Sequence, residues 1–249
     1  MIFRLLIFCV FVSFYSHSQT IESSFKYTVE KDSIFLDEYD NAIDKRLFDF
    51  KLKSTLFYSL TMSNDTLVLN KLRFSHLFGE LETPKKQQLF KFLSQRNNVD
   101  TTKVMIIHYQ DTLKKINEFP EKSALIYSKD SSSHRHVISH KAFLKQHKKC
   151  QNKLNTKKTR VYHFYGHNNG HPESIKKLTW TKDHLHLINT LFRDAYKRYS
   201  AIIIHPDGSF YCWNYRDGNL DVYEDIRKGK RWDKHKKEFI KKLEALNSM

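Results

Sequence analysis

The sequence predicts an α/β fold with a mostly parallel sheet, on three observations. From residue 66 onward, apolar strand-like runs alternate with helical patterns, an order typical of a mostly parallel sheet with helices on both faces. Residues 199–215, YSAIIIHPDGSFYCWNY, have the pattern of a β-hairpin that turns at Asp207-Gly208. A closing amphipathic helix follows, with one side formed by Phe239, Ile240, Leu243 and Leu246.

The first 18 residues have the layout of a secretory signal peptide. Arg4 precedes an apolar run over residues 5–15, and a short polar step ends at Ser18, so cleavage is expected before Gln19. The run is shorter than the roughly 18 apolar residues that a membrane span requires. The sequence therefore predicts an exported protein, periplasmic or secreted, with no membrane span in the mature chain; an uncleaved N-terminal anchor is the alternative.

Residues 19–65 are predicted to form a strand-rich N-terminal extension, and residues 66–249 the α/β domain. In the extension, STLFYSL is a strand pattern, and the turn MSND leads to the strand TLVLNKLRF. Ile43, Leu47 and Phe50 recur at helical spacing before them.

The elements of the α/β domain follow from local signals. Thr83 and Pro84 are typical of a helix start. Apolar runs at 103–109 and 160–165 predict strands, and a basic helix is expected within 140–160 between them. The helical periodicity is clearest at 181–199, and a second Asp-Gly at 217–218 predicts a third short strand after the hairpin.

The composition indicates a folded, strongly basic protein. Hydrophobic residues make up 40% of the chain, which is enough for a core and argues against wholesale disorder. Lysine and arginine number 43 against 27 acidic residues, a formal net charge of +16. Such a charge favours anionic neighbours, namely lipid headgroups, acidic glycans or nucleic acid. A lysine-rich solvated surface without a particular ligand is the alternative.

The densest basic run extends from Lys141 to Lys158. Phe143 is its one aromatic residue, whereas proteins that bind single-stranded nucleic acid need several stacking rings. The run therefore favours an anionic envelope surface or another polyanion over nucleic acid. The candidate anion-binding residues are Lys141, Lys145, Lys148, Lys149, Lys153, Lys157 and Lys158.

Two cysteines, Cys150 and Cys212, remain after the predicted cleavage, and in an oxidising compartment they are a candidate disulfide. Cys212 lies between two aromatic residues, where a free thiol behaves as a small buried hydrophobe. Cys150 lies among lysines, which would lower the pKa of its thiol and make it more reactive. No base and orienting partner can be assigned to either cysteine, so the sequence predicts no catalytic residue.

Histidine is plentiful, with 14 in the chain. The segment HFYGHNNGH places His163, His167 and His171 four residues apart, and three nitrogen ligands with an open position would make a useful zinc site. Positions four apart share a face on a helix, but the glycines between them indicate strand and loop here. Surface histidines are therefore the alternative. A second group consists of His134, His136 and His140, and His108 either lines a cleft or ends a strand.

The order of elements resembles the thioredoxin-like fold, in particular exported thiol–disulfide oxidoreductases and peroxiredoxin-like proteins. In that family a strand, an x-D-G-x turn and a second strand precede the C-terminal helix, and AIIIHPDGSFYCW occupies that place here. The family's Cys-x-x-Cys would follow TLVLNKLRF, where this chain has SHLFGELETPKK without cysteine. Its cis-proline would fall near Ser200, but the nearest proline is Pro206, in the turn. The resemblance thus implies the scaffold without the redox site.

These observations support three hypotheses about function. The first is a redox-inactive thioredoxin-like protein with a binding or structural role at the cell envelope. The second is an enzyme, either a histidine-based metal hydrolase or a single-thiol protein. The third is a cationic module that binds polyanions. Glycine-rich phosphate loops and Gly-x-Ser-x-Gly are absent from the sequence, and we expect no cofactor.

Overall fold

The computed structural model describes residues 32–127, 134–192, 201–214 and 220–248, and these form an α/β fold with six helices and three sheets. The predicted signal peptide, residues 1–18, lies outside the described residues. A three-stranded sheet comes first in the chain, with the order β1-β3-β2. Its elements are β1 (Asp32–Leu36), helix α1 (Lys45–Leu52), β2 (Phe57–Ser63) and β3 (Leu67–Phe74).

Strands β2 and β3 form an antiparallel hairpin, while β1 runs parallel to β3. The Asn64 side chain closes the hairpin turn by accepting hydrogen bonds from the backbone N–H groups of Thr66 and Leu67. The predicted boundary between residues 65 and 66 falls inside this turn. Strand β3, expected to begin the parallel sheet, lies instead in the small sheet, because its pairing partners are β1 and β2.

The main sheet has seven strands among the residues described. They are β4 (His76–Glu80), β5 (Val104–Leu113), β8 (Thr159–Asn168), β9 (Ser174–Ile175), β10 (Leu178–Lys182), β11 (Ala201–Ile204) and β12 (Ser209–Trp213). The remaining two strands, β6 (Ala124–Tyr127) and β7 (His134–Val137), pair with each other. The order in the main sheet is β4-β12-β11-β5-β8-β10-β9.

A mostly parallel sheet is not confirmed. Only β5 with β8 and β8 with β10 pair in parallel, and the other neighbours in the main sheet are antiparallel. The hairpin β11–β12 inserts between β4 and β5, and it imposes antiparallel pairing on both sides. The fold is therefore α/β with a mixed sheet.

The helices cover the two faces of the main sheet. They are α2 (Thr83–Asn97), α3 (His140–Leu154), α4 (Leu187–Leu191), α5 (Leu220–Arg227) and α6 (Trp232–Asn247). On one face of the main sheet, an apolar core contains residues of α5, α6, the C-terminal part of α3 and the small sheet. Helices α2 and α4 pack on the opposite face. Among the described helices, none is long and apolar enough to cross a membrane.

The predicted C-terminal hairpin is confirmed. Ala201 pairs with Trp213 and Ile204 with Phe210, and the turn contains Gly208 at φ +96°, a conformation that glycine adopts at little cost. The predicted closing helix is α6, which comes after α5, begins at Trp232 and buries Phe239. The Asp-Gly at 217–218 lies outside the described residues, but the third short strand predicted after it is wrong, because helix α5 occupies Leu220–Arg227.

The helix predicted over 181–199 begins later than expected. Residues 181 and 182 still belong to β10, and a 3₁₀ turn at His184–His186 follows, in which Leu185 has a φ of 63°. The Asp183 carboxylate accepts hydrogen bonds from the N–H groups of Ile188 and Asn189, so α4 starts only at Leu187. Residues 193–199 of the predicted helix lie outside the described part of the chain.

Candidate functional site

Helix α3 carries a dense group of lysines, of which Lys145, Lys149 and Lys153 are exposed and Lys148 is half-buried. The Ser139 side chain caps its N-terminus by accepting a hydrogen bond from the N–H of Ala142, and Phe143, Leu144 and Leu154 are buried beneath it. The opposite side of the helix faces solvent and has no acidic residue anywhere along its length. We call Lys145, Lys148, Lys149 and Lys153 the α3 basic face. Together with Asn152 they line a surface depression of about 510 Å³.

The structure brings together four of the seven lysines predicted to bind anions. Positions three and four apart are neighbours on a helix, which is why residues 145, 148, 149 and 153 share one side of α3. Lys141 is also exposed on α3 but does not line the depression. Lys157 and Lys158 are exposed between α3 and β8.

The inner side of α3 covers a cluster of histidines and one thiol. His108 on β5 and His163 on β8 are register partners in the parallel pair of strands. Helix α3 places His147 over them, with ring centroids 5.7 Å from His108 and 5.0 Å from His163. One helical turn further, the sulfur of Cys150 lies 3.2 Å from Nε2 of His108. We call these four residues the imidazole–thiol cluster.

Burial keeps His147, His163 and the Cys150 thiol uncharged at neutral pH. His163 is 2% exposed, and its Nε2 has no hydrogen-bond partner among the described residues. Desolvation, with His108 and His147 adding repulsion, lowers the pKa of His163 to about 2. Desolvation likewise lowers the pKa of His147 to about 3. Burial raises the pKa of the Cys150 thiol, although Arg227 and Lys153 act in the opposite direction. A protonated thiol is a poor nucleophile, so the cluster at rest is not an activated Cys–His pair.

The raised pKa gives a prediction for Cys150. In the native protein at pH 7 we expect its alkylation to be slower than that of an unhindered model thiol, and to accelerate about tenfold per pH unit because the thiolate is the reactive form. Cys212 is fully buried, and burial raises the pKa of its thiol well above the usual value, so it should react only after unfolding. Mass spectrometry of time-quenched iodoacetamide reactions at pH 7, 8 and 9 would measure both rates. If Cys150 reacts at pH 7 as fast as the model thiol, the reasoning from burial is wrong.

The predicted disulfide is not formed, since both Cys150 and Cys212 are free thiols. Cys212 packs into the core on the α2 side of the sheet, and Cys150 packs against the core on the other side. The sheet itself separates the two sulfurs. Counting cysteines could not decide between this candidate bond and a free, buried Cys212, because only the fold shows which face of β12 carries residue 212.

The three histidines predicted as zinc ligands are not brought together. His163 lies in the imidazole–thiol cluster, His167 is exposed with its ring 5.3 Å from that of His186, and His171 contacts His140. Within the described ranges, no three histidine, cysteine or acidic residues are arranged to hold a metal ion. Strand β8 extends to Asn168, so residues 163 and 167 lie on the strand rather than in a loop.

A polar cleft of about 470 Å³ lies between α5, α6 and the start of β4. In it, Nε2 of His235 lies 3.0 Å from Oδ2 of Asp225, and Nε of Arg231 lies 3.0 Å from the same oxygen. The buried His76 forms part of the wall, and desolvation lowers the pKa of its imidazole to about 4. Asp225 is thus occupied by two partners that tie α5 to α6, an arrangement typical of a structural contact. None of these residues stands out in the sequence, because they come from three separate segments.

Comparison with known proteins identified no relative of this chain. No family model, curated protein or solved structure matches this chain.

Proposed function

We propose that this is a redox-inactive binding protein that holds a polyanion on the α3 basic face. The observation that carries the proposal is the placement of four lysines on one side of one helix, lining one depression, with no acidic residue in that helix. Ammonium groups on flexible stems attract phosphate, sulfate or carboxylate without demanding a fixed geometry. They therefore suit an anionic polymer with irregularly spaced charges.

The surroundings support a polyanion other than nucleic acid. The one aromatic residue of the helix, Phe143, is 7% exposed and stacks on Trp180 beneath α3, so it offers no platform for a base. The net charge of +16 would add long-range attraction to any anionic polymer. Export, proposed from the N-terminal sequence, would place the protein among acidic glycans and other envelope polyanions.

Redox inactivity is the second part of the proposal. A dithiol–disulfide cycle within one chain needs two cysteines within bonding distance, whereas Cys150 and Cys212 face opposite sides of the main sheet. The thioredoxin-like resemblance also remains a proposal. It is supported by the adjacency of β8, β5, β11 and β12 and by the helix that follows the hairpin.

Heparin chromatography tests the polyanion proposal. Reversing Lys145, Lys148, Lys149 and Lys153 to glutamate should move elution to markedly lower salt. Each lysine that pairs with an anionic group of the polymer releases about one counterion. The slope of log K against log salt concentration should therefore become shallower by about three or more. The matched control reverses four exposed lysines elsewhere, Lys91, Lys114, Lys122 and Lys241, and has the same net charge. Equal losses in the two variants would mean that total charge, not the α3 basic face, determines binding.

A single-thiol function is the second candidate, and the 3.2 Å contact between His108 and Cys150 favours it. An incoming anionic or polar ligand that displaced α3 from the sheet would expose the pair and lower the pKa of the thiol. The alkylation rates separate the two candidates. If heparin, as the probe, accelerates alkylation of Cys150 at pH 7, the thiol is coupled to binding; an unchanged rate leaves polyanion binding alone.

A further inference from the structure

His76 is a buried polar side chain in the wall of the cleft between α5, α6 and the start of β4. It is 7% exposed and is one of the residues that line this cleft of about 470 Å³. The ring of Phe239 packs against its imidazole, with centroids 5.6 Å apart, and the ring of Tyr211 lies 6.1 Å away. These aromatic contacts hold the imidazole in place. A polar group this deeply buried normally has a hydrogen-bond partner for each of its polar atoms.

The hydrogen bonds of Ser75 determine which nitrogen of His76 carries the proton. The Ser75 hydroxyl donates to the carbonyl oxygen of Thr55 at 2.7 Å, so its single proton is already used. The 3.2 Å contact between Ser75 Oγ and Nδ1 of His76 therefore requires Nδ1 to donate. In the neutral ring Nε2 is then an acceptor, and it has no hydrogen-bond partner among the described residues. The cleft wall thus presents a lone pair that a hydrogen-bond donor can satisfy.

Helix α6 brings a cation to the same cleft. Lys242 follows Phe239 by three residues, so the two share one side of the helix, and both line the cleft. Burial lowers the pKa of His76 to about 4, and the nearby charge of Lys242 contributes to this shift. Within the described part of the chain, Lys242 forms no ion pair, whereas Arg231 is paired with Asp225. Lys242 is therefore available to an anionic group of a ligand.

The other lining residues include carboxylates and apolar side chains. Asp221 and Glu238 contribute the carboxylates, and Leu56 and Val222 contribute apolar surface. A ligand with only negative charge would meet these carboxylates, and a ligand with only positive charge would meet Lys242. A ligand that carries both charges on neighbouring groups is complementary to the cleft.

We propose that this cleft binds a free α-amino acid with an apolar side chain. The ligand's carboxylate pairs with Lys242, and its ammonium donates to Nε2 of His76 and to the Glu238 carboxylate. Hydrogen bonds between charged groups are about twice as strong as those between neutral groups. A cleft of about 470 Å³ has the size of a small-molecule site, and Leu56 and Val222 offer apolar contact to the side chain. An amino acid inside a peptide lacks both charges, so the free form is the class that fits. The site does not depend on polyanion binding at the α3 basic face.

Calorimetric titration of the full chain with L-leucine tests this proposal. We expect binding at millimolar concentration or below. N-acetyl-L-leucine and L-leucinamide, which each lack one of the two charges, should bind at least about tenfold more weakly, because each loses a charge-assisted hydrogen bond. A wild type that binds no L-leucine at millimolar concentration would overturn the proposal. Equal affinity for the acetylated or amidated form would contradict recognition of both charges.

Replacing Lys242 tests the site itself. Lys242→Gln should weaken L-leucine binding at least about tenfold, since it removes the cation that meets the carboxylate. The matched control is Lys241→Gln, which removes an exposed lysine that does not line the cleft and should leave the affinity unchanged. Equal affinities in the two variants would mean that L-leucine binds elsewhere.

A second measurement reports on His76 without substituting a buried residue. Imidazole ¹⁵N spectra of the wild type should show that L-leucine shifts Nε2 of His76, with Nδ1 remaining protonated. His184, which is exposed in the 3₁₀ turn, is the internal control and should not shift. An unchanged His76 signal at saturating L-leucine would contradict the proposal.

Discussion

Lowering the pH from 7 to 5 is expected to reduce the free energy of unfolding, and His76 and His163 together account for about 4 kcal/mol of the loss, about 2 kcal/mol each. Both side chains are buried, with 7% and 2% of their surface exposed. Desolvation lowers the pKa of His76 to about 4, helped by Lys242 and His235, and that of His163 to about 2. In the unfolded chain both imidazoles return to an ordinary pKa near 6.5.

Whether stability rises or falls with pH depends on which state, folded or unfolded, binds more protons. Between the folded and unfolded pKa values the unfolded chain is protonated at these two positions and the folded chain is not. Stability is therefore highest above pH 6.5, and it falls by about 1.4 kcal/mol per histidine for each pH unit below. The lowered pKa of His147 acts in the same direction.

Urea unfolding at pH 7, 6 and 5 would measure this dependence. His163→Phe removes one titrating group and should reduce the slope against pH by about one proton, whatever its effect on stability at pH 7. His184→Ala, which changes an exposed histidine, should keep the wild-type slope. A stability independent of pH between 7 and 5 would mean that water reaches these imidazoles in the folded protein.

Parts of the fold could be predicted because their signals are local. The hairpin at 201–213 follows from an apolar strand, an Asp-Gly turn and a second strand, all within a few residues. The amphipathic pattern of α3 likewise identifies its lysine-rich outer side. The mixed sheet could not be predicted in this way. Strand β3 has an apolar pattern that suits either sheet, and only its pairing with β1 and β2 decides between them.

The candidate sites also divide into one that local spacing predicts and others that depend on the fold. The α3 basic face depends on helical spacing alone and could be predicted. The imidazole–thiol cluster depends on the register that sets His108 beside His163, and on the packing of α3 over both strands. The spacing of His147 and Cys150, three apart on one helix, was a usable signal once Phe143 identified the buried side. The cleft at His76 requires separate segments to come together, and spacing along the chain does not indicate it.

The buried ion pair between Lys51 and Glu38 gives the second large expected effect. Nζ of Lys51 lies 2.9 and 3.0 Å from the two carboxylate oxygens of Glu38, and the side chains are 7% and 0% exposed. Replacing Lys51 by methionine should reduce the free energy of unfolding by about 3 to 5 kcal/mol, because it leaves the Glu38 carboxylate buried without its partner. Chemical denaturation at pH 7 would measure this loss.

Helix α1 itself provides the matched control. Lys45 and Asp49 form an ion pair of similar length, 3.1 Å, with side chains 69% and 50% exposed. Lys45→Met should change stability by no more than about 0.5 kcal/mol, because water screens an exposed pair and replaces its partners. Comparable losses in the two variants would show that the methionine perturbs the helix and that burial of the pair is not the cause.

The double variant Lys51→Met with Glu38→Met separates the value of the pair from the cost of breaking it. If the loss in Lys51→Met arises from an uncompensated charge, removing that charge should restore most of the stability, since apolar residues of similar volume replace buried pairs at little cost. Glu38 lies between β1 and α1, and Lys51 lies near the end of α1 above the ring of Phe57 on β2. The pair thus joins the loop after β1 to the end of α1, beside β2. A double variant as unstable as the single would mean that the ionic contact itself holds α1 on this sheet, and that apolar packing there is insufficient.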